Sequence, residues 1–228
     1  MGLTKVEMLA ALSELAEPSL AGYMEKVVSD TGYPMLYVPM SAVRKVAKAA
    51  SRLPGSLKGP FTFYEEVVCA GLAIAYAKMP LAQRLTALRD LLPHLDSWAM
   101  TDSIFPTLRF DAEEQALLWA FAMECLAGDG EYMVRSGVVI LLRFFLTDTH
   151  SQTVAARLAA LHDDRYYVQM AVAWCFAEMA VNHYEIVEKV LESGELSLFI
   201  HNKTIQKMRE SYRISAEKKE AAQRLRRK

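Results

Sequence analysis

Apolar residues recur at helical spacing along nearly the whole chain, and this periodicity constrains the fold more than any other feature of the sequence. Period-two alternation between hairpin turns is absent, apart from weak fragments around Tyr37-Val38. Pro18, Pro39 and Pro80 each open a predicted helix, and residues 128–130 (Gly-Asp-Gly) separate two strongly apolar segments. We therefore predict roughly a dozen helices with short connections and no sheet.

The spacing of helices in the second half is typical of an α-solenoid. All eight prolines lie at or before Pro106, so the later helices can be long and regular. They are predicted near 111–127, 130–147, 149–161, 165–181, 182–193 and 199–212. Consecutive helices would pair at about the forty-residue period of HEAT-type repeats. The predicted fold class is all-α, a curved, right-handed α-solenoid of HEAT-like repeats (α-α superhelix), with a closed bundle as the alternative.

Charge is unevenly distributed along the chain. The totals nearly balance, 26 Lys and Arg against 27 Asp and Glu, but residues 201–228 carry ten basic side chains and three acidic ones. We therefore expect a single HEAT-like-repeat domain over residues 1–214 and a basic helical tail over residues 215–228. Such a tail is either an interaction arm or a solvated helix end.

The cysteines and the apolar segments indicate the cellular setting. Cys69, Cys125 and Cys175 are far apart, lie in apolar runs and have no metal-ligand spacing. They are expected to be small buried residues in a reducing compartment. The N-terminus does not resemble a secretory signal, and the longest apolar stretches are too short to span a bilayer. These features predict a cytoplasmic protein with no membrane partner and no metal bound by its cysteines.

Three predicted helices carry polar or aromatic side chains inside apolar stripes. Trp98, Asp102 and Phe105 stand at i, i+4 and i+7 and share a helix face, while Arg135 and Trp174 interrupt two later helices. Each has a structural interpretation, with the tryptophans in the core and Asp102 paired with Arg135 in a partly buried ion pair. Taken together, they also fit a wet aromatic cleft.

Cationic side chains recur at one-turn spacing in two places. They are Arg44, Lys48 and Arg52 in the helix after Pro39, and the pairs Lys203–Lys207 and Arg209–Arg213 near the C-terminus. Such ridges can meet successive phosphates, although most cationic faces are merely solvated.

Five stretches resemble the AlkD-type DNA alkylation-repair family of HEAT-like-repeat DNA glycosylases, in particular a shorter subgroup. In chain order they are 38–48, 98–103, 134–142, 166–174 and 204–211. The second contains a Trp-x-x-x-Asp spacing formed by Trp98 and Asp102, which is similar to a motif of that family. The stretches keep the family's order over most of the chain.

The resemblance implies a fold, a partner and an activity. Members of that family grip duplex DNA in a concave helical cleft and remove cationic N3- and N7-alkylated purines without base flipping, metal or cofactor. It implies that Asp102 stabilises the positive charge that develops on the sugar, while the indoles of Trp98 and Trp174 favour a cation. The side chains expected to contact DNA phosphates are Arg135, Arg44, Lys48, Lys203 and Lys207.

Two other functions are compatible with the same residues. One is a DNA-binding HEAT-like protein with little or no excision activity. The other is a protein-interaction solenoid, which the acidic character of residues 1–200 favours. The leading hypothesis is a monomeric glycosylase that acts on alkylated duplex DNA, because a peptide groove does not require the two tryptophans together with Asp102 and Arg135.

Overall fold

The structure is a computed structural model that describes residues 2–228. Within that range all regular secondary structure is helical and no strand occurs, which confirms the predicted all-α class. The chain divides into two compact units, Met1–Met123 and Glu124–Lys228.

Seven α-helices begin in the first unit. They are α1 (Lys5–Glu14), α2 (Ala21–Val27), α3 (Met40–Ala50), α4 (Tyr64–Tyr76), α5 (Leu81–Leu91), α6 (Trp98–Ile104) and α7 (Gln115–Leu126). Short 3-10 turns connect them at Pro18–Leu20, Pro54–Ser56, Leu92–His94 and Phe105–Thr107. Each turn has a proline in its first two positions, where the fixed φ of proline suits a helical start and its missing N–H costs nothing.

The helix α4 forms the centre of the first unit. It is buried from Tyr64 to Ala75 and packs against α1, α3, α5 and α6. Gly71 permits the close approach of α6, because a Cβ at this position would lie 2.3 Å from Cδ1 of Ile104. A buried glycine therefore sets how near α6 comes to the core.

A buried carboxylate at the start of α4, that of Glu65, organises the chain before it. Glu65 is 0% exposed and accepts the backbone N–H groups of Leu36 at 2.9 Å and Val38 at 3.2 Å. Between them, Tyr37 adopts a left-handed backbone conformation with φ of 61°. The strand-like fragment in the sequence is therefore a loop, because its N–H groups bind a side chain instead of a neighbouring strand.

Six α-helices form the second unit. They are α8 (Glu131–Phe144), α9 (Ser151–Ala159), α10 (Tyr166–Asn182), α11 (Tyr184–Ser193), α12 (Leu198–Glu210) and α13 (Ala216–Arg224). The central helix is α10, which packs against α8, α9, α11 and α12 and buries nine of its residues. Helix-on-helix packing in both units is consistent with the predicted helical-repeat solenoid.

The basic C-terminal segment contains α13, which packs against α12. His201 and Asn202 of α12 bond to the chain beyond α13: the Nε2 atom of His201 lies 2.8 Å from the carbonyl oxygen of Leu225, and the Asn202 amide contacts the backbone of Arg227. The division into a domain of residues 1–214 and a tail of residues 215–228 stays a prediction. Every helix among residues 2–228 is too short or too polar to traverse a bilayer.

Candidate nucleic-acid interface

The helix α6 carries Trp98 and Asp102, and its N-terminus is firmly anchored. The Ser97 hydroxyl accepts the N–H of Ala99 at 3.2 Å. The carboxylate of Asp30 accepts the N–H of Trp98 at 2.8 Å and the hydroxyl proton of Ser97, with the two oxygens 3.0 Å apart. Since the first N–H groups of a helix have no partner within it, these bonds satisfy donors that would otherwise need water. A carboxylate at this end also interacts favourably with the helix dipole.

A second set of hydrogen bonds joins the segment around Asp30 to the segment before α6, and here the acceptor lies in the second of these segments. Asp96 accepts the hydroxyl of Thr31 at 2.7 Å and the N–H of Gly32 at 2.7 Å. Asp30 and Asp96 therefore form a reciprocal pair, the Asp30–Asp96 clamp, in which each carboxylate binds the segment that carries the other. The bonded residues are 64 to 68 positions apart, so the clamp ties α6 to a distant part of the first unit.

We expect Asp30→Ala to lower the free energy of unfolding by about 1–3 kcal/mol, because it leaves part-buried donors at the start of α6 without their acceptor. Denaturant titration followed by circular dichroism measures the change. The control is Asp90→Ala, which removes an exposed carboxylate from α5 and should change stability by less than about 0.5 kcal/mol. Equal stability of the two variants would contradict an anchoring role for Asp30.

Trp98 and Asp102 lie one turn apart on the same face of α6, and both side chains are partly exposed. The hydroxyl of Thr101 lies 2.9 Å from Oδ1 of Asp102 and 2.8 Å from the carbonyl oxygen of Trp98, so its single proton serves one of these acceptors at a time. Because Thr101 is 0% exposed, it offers Asp102 a protein donor on its inner side. Phe105, predicted to share this face, is instead fully buried and packs on Phe121.

The predicted phosphate contacts of α3 lie near the end of α6. Nη1 of the half-buried Arg44 donates to the hydroxyl of Tyr76 at 3.0 Å and to that of Thr107 at 3.3 Å. Lys48 is exposed, with Nζ 5.7 Å from the centre of the Tyr76 ring. Arg44 therefore holds α3 against the turn that follows α6, and Lys48 continues the same cationic ridge outward.

Arg135 lies in the second unit and is only 5% exposed. Its Nη1 donates to the carbonyl oxygen of Tyr167 at 2.7 Å, while the carboxylate of Glu131 accepts the Tyr167 N–H at 2.8 Å. Glu131 and Arg135 stand one turn apart on α8, so they hold both backbone groups of one residue at the start of α10. Arg135 is thus a structural side chain whatever its role towards a phosphate.

A cleft of about 370 Å³ surrounds Trp174 on α10. It is lined by Trp174, Ala177, Glu178, Lys207, Glu210, Ser211, Tyr212 and Arg213. The indole N–H of Trp174 donates to Glu178 at 3.4 Å, and Arg213 donates to the two oxygens of the same carboxylate at 2.7 and 2.5 Å. Glu178 therefore orients the indole and neutralises Arg213, while Lys207 places a cation beside the same cleft.

Lys203, one turn before Lys207 on α12, does not line this cleft. Its Nζ donates to the side chain of Gln206 at 2.9 Å and lies 5.7 Å from the centre of the Phe199 ring. Phe199 in turn contacts Tyr166, whose side chain is 55% exposed. Lys203 therefore stands at one end of a partly exposed aromatic surface.

The cysteines have no place in this site. Cys69, Cys125 and Cys175 are buried thiols. Burial raises the pKa of the Cys69 thiol to about 12 and also raises that of Cys175, so these groups stay protonated and poorly nucleophilic at neutral pH. Among residues 2–228, no group of three or more His, Cys, Asp or Glu side chains is placed to hold a metal ion.

The structure groups the predicted site residues within each unit. Trp98 and Asp102 share α6 in the first unit, and Trp174 shares a cleft with Lys207 in the second. A single surface joining the two sets stays a prediction. Sequence reasoning missed the Asp30–Asp96 clamp, for which no local pattern exists. It also missed Tyr212, which is fully exposed beside the Trp174 cleft.

Comparison with known proteins identifies one family. The family model described as DNA alkylation repair enzyme matches residues 8–218, a range that contains every predicted site residue. No curated protein and no solved structure matches the chain.

Proposed function

Because the chain belongs to the DNA alkylation repair enzyme family, we propose that it is a monofunctional DNA glycosylase that excises N3- and N7-alkylated purines from duplex DNA without flipping the base. The observation that carries the proposal is the partly exposed face of α6. There a carboxylate, Asp102, and an indole, Trp98, stand one turn apart on a helix that the Asp30–Asp96 clamp anchors.

The departure of the base needs little assistance from the protein. An N3- or N7-alkylated purine is cationic, so when the bond between C1′ and the ring nitrogen breaks, its electron pair neutralises the ring. The oxygen of a water molecule forms the new bond to C1′, and that water loses a proton, which passes to the solvent. The products are the free alkylated base and an abasic site, with water as the sole co-reactant.

The catalytic work is electrostatic. Positive charge moves from the purine to the sugar as the glycosidic bond breaks, and a carboxylate fixed beside that sugar is stabilising in the transition state. Asp102 supplies this charge. On its solvent side it accepts a hydrogen bond from the attacking water and so orients that water. The buried Thr101 hydroxyl restrains Asp102, so less reorganisation is needed during the reaction.

Binding is assigned to the indole faces and to cations around them. Trp98 and Trp174 attract the cationic base or sugar through their rings. Phosphate contacts come from Arg135, Arg44, Lys48, Lys203 and Lys207. These contacts fix the register of the duplex, whereas the damage itself is recognised by its charge. The protein acts as a monomer in this proposal.

The direct test is excision from a duplex that contains a single N7-methylguanine. We expect release of the methylated base and an abasic site that breaks the strand only after alkali treatment, as a monofunctional enzyme requires. The matched undamaged duplex, treated in the same way, should remain intact.

The assay also separates the alternatives. Binding of the duplex without base release would replace the enzyme with a DNA-binding module. The absence of both duplex binding and base release would favour the protein-interaction solenoid. Strand cleavage before alkali would contradict the monofunctional reaction.

A further inference from the structure

Trp174 and Glu178 repeat in the second unit the arrangement of Trp98 and Asp102 in the first. In each pair an indole and a carboxylate stand four residues apart on one helix, α10 or α6, so the two side chains share a helix face. The indole N–H of Trp174 donates to Oε1 of Glu178 at 3.4 Å, and both residues line the Trp174 cleft. Each unit therefore presents a carboxylate beside an indole.

The carboxylate of Glu178 already holds a cation, the guanidinium of Arg213. Nη2 of Arg213 donates to Oε1 at 2.7 Å and to Oε2 at 2.5 Å, and Arg213 also lines the cleft. Arg213 belongs to the short segment between α12 and α13, and its side chain is 60% exposed, whereas that of Glu178 is 27% exposed. An ion pair so open to water contributes little to stability, and an arginine outside a helix can move without unwinding one. The cation that occupies the cleft is therefore replaceable.

The charges of the lining favour a replacement that carries one positive charge. The formal charges of Lys207 and Glu210, which also line the cleft, cancel each other. When Arg213 leaves, the lining therefore has the single negative charge of Glu178. A monocation that takes the place of the guanidinium restores neutrality, whereas a neutral ligand leaves the carboxylate unbalanced.

The rings of the lining favour a cation with a flat face. Trp174 and Tyr212 both line the cleft, and the Tyr212 side chain is fully exposed. A phenol entirely in water contributes nothing to the core, but its ring face, like that of an indole, attracts a cation. A purely structural explanation, in which the ion pair ties Arg213 to α10, accounts for the pair but not for the exposed ring beside it.

We propose that Glu178 is a specificity-determining residue that binds the positive charge of an alkylated purine, and that the Arg213 guanidinium holds this place until such a base displaces it. The inference rests on the proposed function, which supplies the cationic base. An undamaged purine is neutral and does not compete with the guanidinium for the carboxylate. While Arg213 is paired, it also cancels a negative charge that would repel the phosphates of undamaged DNA. The pair thus hides the carboxylate until a cation reaches it.

The test is the ratio of affinities for a methylated and an undamaged duplex. The methylated duplex contains one N7-methyl-2′-fluoro-2′-deoxyguanosine, because fluorine on C2′ withdraws electrons and slows loss of the base during the measurement. In Arg213→Gln we expect this ratio to rise about twofold to fivefold, the range set by loss of an exposed ion pair that competes with the base. In Glu178→Gln it should fall by a similar factor, because the base loses its carboxylate partner.

The double variant Glu178→Gln/Arg213→Gln tests whether Arg213 acts through Glu178. The rise caused by Arg213→Gln should disappear in this background, because no carboxylate remains to be uncovered. A rise that persists there would mean that Arg213 repels the cationic base directly, and would overturn the proposal.

The matched control is Arg209→Gln, which removes an exposed cation of α12 that does not line the cleft. Its ratio should equal that of the wild type, since a phosphate contact affects both duplexes alike and cancels in the ratio. An equal rise in Arg209→Gln and Arg213→Gln would mean that net charge alone is responsible. An unchanged ratio in Arg213→Gln, with or without lost stability on chemical denaturation, would leave the pair with a structural role. Either result would overturn the proposal.

Failure of the proposed glycosylase has a different signature. A wild type that releases no N7-methylguanine from an ordinary duplex, but whose affinity ratio responds to both substitutions as expected, would contradict only the excision activity. Release of N7-methylguanine with a ratio that neither substitution changes would overturn only the role of Glu178 and Arg213. A wild type that binds neither duplex would overturn both.

Discussion

Replacing Asp102 with Asn is expected to slow release of N7-methylguanine by about a hundredfold to a thousandfold. Asn keeps the shape of the side chain and still accepts the hydrogen bond from Thr101, but it lacks the negative charge. That charge is needed only as the glycosidic bond breaks, so its loss raises the barrier without weakening the bound ground state. Affinity for undamaged duplex should be unchanged or slightly higher, because a carboxylate repels phosphates.

The measurement is single-turnover base release at saturating protein, together with equilibrium binding of the same duplex. Asp90→Asn is the matched control, since it removes an exposed carboxylate from α5 in the same unit. It should react at the wild-type rate. If Asp102→Asn and Asp90→Asn release base equally fast, Asp102 is not the catalytic carboxylate. If Asp102→Asn loses duplex affinity in proportion to its loss of base-release rate, Asp102 acts in binding.

The second large effect is expected from Arg135→Ala, which should lower the free energy of unfolding by about 1.5–3 kcal/mol. The guanidinium is 5% exposed and donates to the carbonyl oxygen of Tyr167 at 2.7 Å. A hydrogen bond from a charged donor is worth more than a neutral one, and its removal leaves a buried acceptor at the start of α10. Chemical denaturation measures the loss.

Arg143→Ala is the matched control, because Arg143 lies on the same helix with an exposed side chain. It should change stability by less than about 0.5 kcal/mol. Binding to duplex at several salt concentrations then tests the second role of Arg135, since one lost phosphate contact makes the slope shallower by about 0.9. If Arg135→Ala loses stability but its slope of log affinity against log salt is unchanged, Arg135 has a structural role and does not contact DNA.

Much of the secondary structure follows from local sequence. Helices predicted near 130–147 and 165–181 correspond to α8, Glu131–Phe144, and α10, Tyr166–Asn182. Pro39 and Pro80 stand directly before α3 and α5, as their fixed φ and missing N–H dictate. Such signals act within a few residues, so they can be read without knowing what packs against each helix.

The same local rule places the two proposed site residues of α6 next to each other. Residues four apart share a helix face whatever surrounds them, so Trp98 and Asp102 are neighbours as soon as their segment is helical. Periodicity did not reveal that Phe105 lies in the core, because the α-helix ends at Ile104 and a 3-10 turn follows. It also did not reveal that the fragment around Tyr37 is a loop bound to Glu65.

The sequence by itself determined the helical class, the approximate helix limits and the shared face of Trp98 and Asp102. Only the tertiary structure decided which polar groups bind one another. The Asp30–Asp96 clamp joins segments more than sixty residues apart, Arg135 is buried against Tyr167, and Arg213 is paired with Glu178. The physical reason is range: helical periodicity depends on neighbours within one or two turns, whereas a buried charge is satisfied by whichever distant group the packing brings within about 3 Å.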